Sequence, residues 1–385
     1  MRITPRNILV LSVLSAATAF TLTPDLLADD AFVLPEGVFR FTAGSTFVNS
    51  SQFYNENRVK IEPGSALANQ VKTTLTGLGA GSGLSPAMDV KSTISREDVA
   101  LEYGLNDRTS LSLRLPLYLS VNIKTTPNAD LNAALAAIGA TPLGSAGKVG
   151  ELFQKLSRDG KKTGTAGDLL VGGKYQFLRS GATGYSTEPD SYRASFALGM
   201  KLPTGSTSSP DTNDLATATA SNTKAWIVGA RTYWDYQFTS FFYIDFYSEH
   251  EYRFAGARKF LSVDSSYNYS VLDTSFRSGV YNHLELDFAF TPEIVKGLTS
   301  DSGIRFMGDF TGEGKYTEAP EGYAPLVGTN EKATRSYVIS PYLGVFYTGA
   351  PLPLKFKTVY YQPTGGMNSN VINGLSLIAQ AYLKF

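Results

Sequence analysis

Cysteine is missing from this sequence altogether, which excludes disulfides, thiol chemistry, cysteine-ligated metals and a lipoprotein anchor. Histidine is nearly as scarce: His250 and His283 are the only two. There is no H-E-x-x-H zinc pair, and no serine stands in a G-x-S-x-G elbow. The glycines at 77, 79, 81 and 83 do not follow a strand and open a helix as a dinucleotide loop must, so they read as flexible loop. An excess of either charge is also lacking, with 34 basic and 34 acidic side chains. Without a basic surface, nucleic acid is not an expected partner. Long apolar runs are confined to the first twenty or so residues. A mean hydropathy of -0.09 excludes a helical membrane protein, but not a membrane barrel, whose strands alternate apolar and polar residues so that averages cancel.

What is present begins with a leader. Arg2 and Arg6 precede an apolar core from Ile8 to Leu14, then Ala17-Thr18-Ala19, a small-x-small cleavage pattern. The expectation is a signal peptide within residues 1–28, cut after Ala19 or Ala28, and one barrel domain over 29–385.

The stretch Ser110 to Lys124 organises the rest. Leu111, Leu113, Leu115, Leu117, Leu119, Val121 and Ile123 occupy every second position, with mainly polar residues between. A period of two is a strand with one apolar face, and its length suits a tilted bilayer crossing of about 9–11 residues. The leucines, Val121 and Ile123 are expected in lipid, the serines and charges in a lumen. Pro116 cannot donate to a ladder, which implies a bulge or local break.

Similar strands are expected near Gly37–Val48, Ile94–Tyr103, Gly167–Leu178, Tyr192–Leu202, Lys224–Tyr236, Phe241–Glu251, Phe276–Phe290, Gly303–Phe310, Thr334–Tyr347, Leu354–Tyr361 and Gly374–Phe385. Long and short connections generally alternate between them. The fold class is therefore all-β: a transmembrane antiparallel barrel of about twelve strands with short periplasmic turns and long outside loops. The last strand sets Leu375, Leu377, Ala379, Ala381 and Leu383 against Ser376, Gln380, Tyr382 and Lys384. Its terminal Phe385 resembles the signal read by the outer-membrane assembly machinery, the second expected partner after the lipid bilayer.

Charges facing the lipid midplane cost roughly 2–4 kcal/mol, so the strand charges are expected inside. The lumen set is Arg114, Lys174, Arg193, Arg231, Asp235, Asp245, Glu285, Asp287, Arg305, Lys355 and Lys357, both signs together. Pairing across the wall is their simplest role, and such a mixture does not favour strong ion selectivity. His283 turns inward beside Glu285 and Asp287, where a structural hydrogen-bonding role is expected. The aromatic crowd from Trp226 to Tyr247, which includes Tyr233, Trp234, Tyr236 and Phe238, reads as interfacial girdle. In the long loops, Leu67, Val71 and Leu75 fall at helical spacing, as do Leu131, Ala134, Leu135 and Ile138, and Val149, Leu152, Phe153 and Leu156. Two readings stand for these short helices: a gate packed over or into the barrel mouth, or a lid packed only on itself with no ligand. No catalytic, cofactor-binding or metal-ligating residue is expected.

The segments Gly167-Asp168-Leu169-Leu170-Val171-Gly172-Gly173-Lys174-Tyr175 and Phe196-Ala197-Leu198-Gly199-Met200-Lys201-Leu202-Pro203-Thr204-Gly205 resemble the core of a family of bacterial outer-membrane transporters associated with the phenol-degradation meta-cleavage pathway. That family is distantly like the long-chain fatty-acid transporters. The resemblance implies a barrel that passes hydrophobic or aromatic compounds, and it implies no catalytic set. With the leader cut, few mature residues precede the first strand, which leaves no room for an N-terminal plug, so any constriction is expected from the loops. The combined expectation is a passive outer-membrane channel or transporter for small hydrophobic or aromatic solutes. Two alternatives stand beside it: a lipid-modifying enzyme with a Ser or His cluster at one leaflet, and a structural or adhesion barrel.

Overall fold

The computed structural model describes residues 31–62, 83–139, 159–180, 187–205, 224–263, 269–320, 330–349 and 351–384, with 64–65, 68–69, 72–73 and 76 of the first long loop. The expected leader and Phe385 lie outside these residues.

Twelve strands close a ring. They are β1 (Val38–Tyr54), β2 (Met88–Asn106), β3 (Thr109–Pro127), β4 (Leu169–Arg179), β5 (Tyr192–Leu202), β6 (Ile227–Thr239), β7 (Phe242–Arg253), β8 (Tyr281–Phe290), β9 (Leu298–Thr311), β10 (Thr334–Tyr347), β11 (Leu354–Met367) and β12 (Ser369–Lys384). Each pairs antiparallel with its sequence neighbour, and β12 returns to β1 from Val38↔Lys384 to Tyr54↔Ser369. Closure is what lipid demands, because an open edge would leave backbone groups without partners. The tight turns Asp107-Arg108 and Ser240-Phe241 lie at the end that carries Val38 and Lys384. Long connections lie at the other end, which is therefore the outside.

Alternation sorts the side chains as lipid requires. Phe41, Phe47, Leu111, Leu113, Leu198, Phe306, Leu343 and Leu377 are exposed on the outer face, while Arg40, Asp98, Arg193, Glu249 and Arg305 are buried inside. Tyr192, Tyr236, Phe238, Phe290 and Tyr347 ring the periplasmic strand ends, and Trp226, Tyr252, Phe254, Tyr337 and Tyr360 the outer ends. Two members of the expected girdle are not part of it. Tyr233 and Tyr247 face inward, with 3% and 1% of their surface exposed.

One strand departs from its sequence pattern. Leu111 and Leu113 face out, but Val121 and Ile123 are buried and face in. The cause is a bulge: Ser95 pairs with Ser120 and Arg96 with Tyr118, so Leu119 is an extra residue and the alternation changes phase. Pro116 marks a separate irregularity. β3 pairs with β4 up to Arg114↔Leu170, then with the short strand Gly160–Ala166 from Leu117 onward. Gly167 N donates to Pro116 O at 2.7 Å, so the missing proline N–H falls where the partner changes.

The outside loops hold more regular structure than their composition suggests. Gly256–Val263, Tyr269–Arg277, Gly314–Glu318 and Asn330–Glu331 form a separate four-stranded sheet beyond the outer ends of β7 to β10. The expected single strand Phe276–Phe290 is thus broken between Arg277 and Tyr281. At that break Gly279 abuts Gly312, whose backbone a Cβ on Gly279 would meet at 2.1 Å.

Residues Ala31 to Leu34 run inside the barrel rather than away from it, with Ala31, Val33 and Leu34 buried. Ala31 N donates to Asp235 Oδ1 at 2.8 Å, and Gln176 Nε2 and the Ser195 hydroxyl both donate to Ala31 O. Seven residues suffice because the chain doubles back at Gly37, which has φ +74° and whose N–H donates to Gly104 O.

Candidate functional site

The lumen is the site that the fold creates, and its wall is charged. Arg114, Lys174, Arg193, Arg231, Asp235, Asp245, Glu285, Asp287, Arg305, Lys355 and Lys357 all stand at inward positions. These charges form ion pairs within strands and between them. Asp98 receives Arg96 at 2.7 Å and Arg114 at 3.0 Å, and Arg40 pairs with Glu102. Arg231 reaches Glu249 at 2.7 Å, Arg253 reaches Glu251 at 3.1 Å, and Lys201 also pairs with Glu251. On the opposite wall Arg305 lies 3.0 Å from Asp287 and 3.3 Å from Glu285, while Asp301 receives Lys355 at 2.7 Å. His283 sits between Asp309 at 2.9 Å and Glu285 at 3.4 Å.

One row runs across five strands as Arg193, Asp235, Asp245, Asp287, Arg305. Three carboxylates are thereby bracketed by two guanidinium groups, and the Tyr342 hydroxyl donates to Asp287 at 3.0 Å. Asp168 has a local role: its carboxylate accepts Gly205 N at 2.9 Å and ties down the Leu202-Pro203-Thr204-Gly205 corner.

Next to this wall lies an open recess in the lumen. Its floor on the wall is bare backbone, because Gly172 pairs with Gly199 and Gly199 with Gly229, all at inward positions. Ser112 and Glu251 end that glycine row. Lys174, Ala197 and Arg231 frame it on the periplasmic side, and Leu170, Lys201 and Ile227 on the outer side. The Lys174 ammonium lies 3.8 Å from the centre of the Tyr233 ring, which gives the recess a cationic and an aromatic surface side by side. Below it, Ala31 packs with Ala197, Tyr233 and Tyr247. The N-terminal segment therefore lies on the periplasmic side of the recess. The Arg193 guanidinium, 3.8 Å from the centre of the Phe32 ring, holds the next residue of that segment.

Toward the outside the wall formed by β1 to β3 turns apolar. Val48, Ile94 and Val121 pack together with Tyr118 and Ile372 against them. The helix α1 (Ala129–Gly139) follows β3, and its Leu131 and Ala134 are buried. Asn128 caps it, accepting Leu131 N at 2.8 Å and Ala87 N at 3.0 Å, which binds the helix to the chain entering β2. The described residues between 64 and 76 are helical, with Ala68 buried. The expected gate residues Leu67, Val71, Leu75, Val149, Leu152, Phe153 and Leu156 lie outside the described residues.

Sequence reasoning missed three parts of this site. The glycine row carries no side chain to declare a face. The N-terminal segment is too short to show a pattern. Val121 and Ile123 of the apolar outer wall read as lipid-facing because the bulge is silent in the sequence.

No protein family and no curated protein matches the sequence. Among solved structures, an outer membrane channel from Pseudomonas putida F1 superposes with a TM-score of 0.55 at 13% identity, over 93% of this chain and 99% of that one. The chain has the closed-barrel fold of an outer-membrane channel. Weaker likenesses include the TodX monoaromatic hydrocarbon channel (TM-score 0.40, 8% identity, 91% of each chain) and the toluene transporter TbuX of Ralstonia pickettii (0.36, 10%, 91% and 90%). At such scores and identities the likeness is one of fold.

Proposed function

We propose that this barrel is a passive channel for small aromatic or other hydrophobic solutes. The recess carries the reading: a solute leaving the apolar outer wall meets flat glycine backbone bordered by the Lys174–Tyr233 pair, directly above the N-terminal segment. Bare peptide planes give a ring a surface to lie on, and the paired wall charges keep the lumen's mean field low, so neutral solutes are not repelled. The solute class also agrees with the resemblance at Gly167–Tyr175 and Phe196–Gly205. Release to the periplasm requires the Ala31–Leu34 segment to shift.

Proteoliposomes test this with benzoate, which crosses lipid slowly, against an aliphatic carboxylate of similar size. The expected result is several-fold faster benzoate uptake, and loss of that preference in Gly199→Leu. A Cβ at Gly199 finds its nearest contact at 3.4 Å, so the barrel accommodates a side chain that fills the recess. A folded barrel that passes neither solute would overturn the channel reading.

The lipid-enzyme alternative has one observation in its favour. On the outer face Ser248 and His250 stand two residues apart on β7, and His250 Nδ1 lies 2.7 Å from Asn282 Oδ1. A serine, a histidine and an orienting amide are the parts of a hydrolytic triad. The Ser248 hydroxyl, however, pairs with Thr232 Oγ1 at 2.7 Å rather than with the imidazole. Labelling of Ser248 by a fluorophosphonate would favour the enzyme; an unlabelled folded barrel disfavours it.

A further inference from the structure

The bulge at Leu119 has an effect on the outer surface as well as on the lumen. By phasing β3 anew it turns Lys124 outward, and Lys124 pairs directly with Lys91 of β2, which also faces out. Both side chains are exposed. Among the described residues neither ammonium is within salt-bridge distance of a carboxylate, and Asp89, outward and one pair further from the membrane, bonds to neither. Like charges directly opposite on a sheet destabilise it. Two exposed lysines directly opposite one another on the same face offer a place for a shared anion.

The height of the pair says which anion. Phe47, Ser95 and Ser120 share one row, and Phe47 and Leu119 are the last large apolar side chains facing out on this part of the wall. The lysines stand four residues beyond that row. At about 3.3 Å per residue and a tilt of about 40°, that is roughly 10 Å above the hydrocarbon edge. The headgroup layer is roughly 5–8 Å deep on each side, and lysine stems bend several ångströms toward it. The pair therefore overhangs the headgroups of the outer leaflet.

We infer that Lys91 and Lys124 form a phosphate-binding clamp for lipid A in the outer leaflet, with one phosphate of the glucosamine headgroup held between the two ammonium groups. Thr93 and Asn122, the pair one step closer to the membrane, supply further hydrogen-bonding groups on the same face. This assignment is independent of what the lumen carries.

Native mass spectrometry of the purified chain in detergent tests it, with bisphosphorylated lipid A, its dephosphorylated form and phosphatidylglycerol as probes. The wild type is expected to retain bisphosphorylated lipid A at least tenfold better than either of the other two. Lys91→Ala/Lys124→Ala is expected to lose that preference while remaining a heat-modifiable barrel on gels. Unchanged retention in the double variant overturns the clamp. So does equal retention of the dephosphorylated lipid or of phosphatidylglycerol by the wild type, and that comparison decides the matter alone if the double variant fails to fold.

Discussion

Arg193 joins two parts of the molecule that are far apart in sequence. Its Nε donates to Asp235 at 3.1 Å, and the same guanidinium covers Phe32 of the N-terminal segment. Arg193 and Asp235 are 2% and 3% exposed, so removing one leaves the other as a buried charge without its counter-ion. Arg193→Ala is expected to destabilise the barrel by about 3–5 kcal/mol, read as a lower urea midpoint. Arg193→Lys keeps the charge but not the planar stack, so it should restore only part of that loss; full restoration would show that Phe32 contributes nothing. At this scale the sequence was legible wherever cost dictated position. Charges such as Arg231, Asp235 and Arg305 could be placed inside because lipid excludes them. Gly199 and Gly229 could not, since glycine is equally at home on either face. Nor could the partners of Ala31, because Gln176, Ser195 and Asp235 lie 145, 164 and 204 residues away.

Among the elements, β3 shows both the strength of a two-residue period and its blind spot. Alternation marks it as a membrane strand, and Leu111 and Leu113 do face lipid. What the period cannot report is a change of phase. Ser120, Asn122 and Lys124 are as acceptable facing the outer headgroups as facing a lumen, so nothing in their chemistry signals that Leu119 is supernumerary. Deleting Leu119 should restore strict alternation and drive Val121 and Ile123 outward with Lys124 inward, a full exchange of faces. The outer apolar wall formed with Val48 and Ile94 would be lost. The expected readout is a barrel that folds poorly or not at all, seen as missing heat-modifiable mobility; wild-type stability in this deletion would mean that the bulge is incidental. By contrast Pro116→Ala adds a donor where β3 changes partners, and stability should move by less than about 1 kcal/mol.

For the molecule as a whole, the closed ring, the strand count and the asymmetry of the connections follow from composition and alternation, because a lipid solvent leaves few other solutions. The location of the constriction does not follow. A short segment before the first strand suggested that the loops alone narrow the path, yet Ala31 to Leu34 occupy the lumen below the recess. The segment is held by hydrogen bonds to Asp235, Gln176 and Ser195 and by the contact with Arg193, all of which belong to a wall that is already braced by its own ion pairs. Its removal should therefore open the path without collapsing the barrel. Single-channel conductance in planar bilayers, wild type against a chain lacking Ala31–Leu34, measures this most directly. A several-fold larger unitary conductance in the deletion, with little selectivity between cations and anions, is the predicted result. Equal conductance of the two, in barrels shown to be folded, would contradict a solute path through the lumen that the N-terminal segment closes.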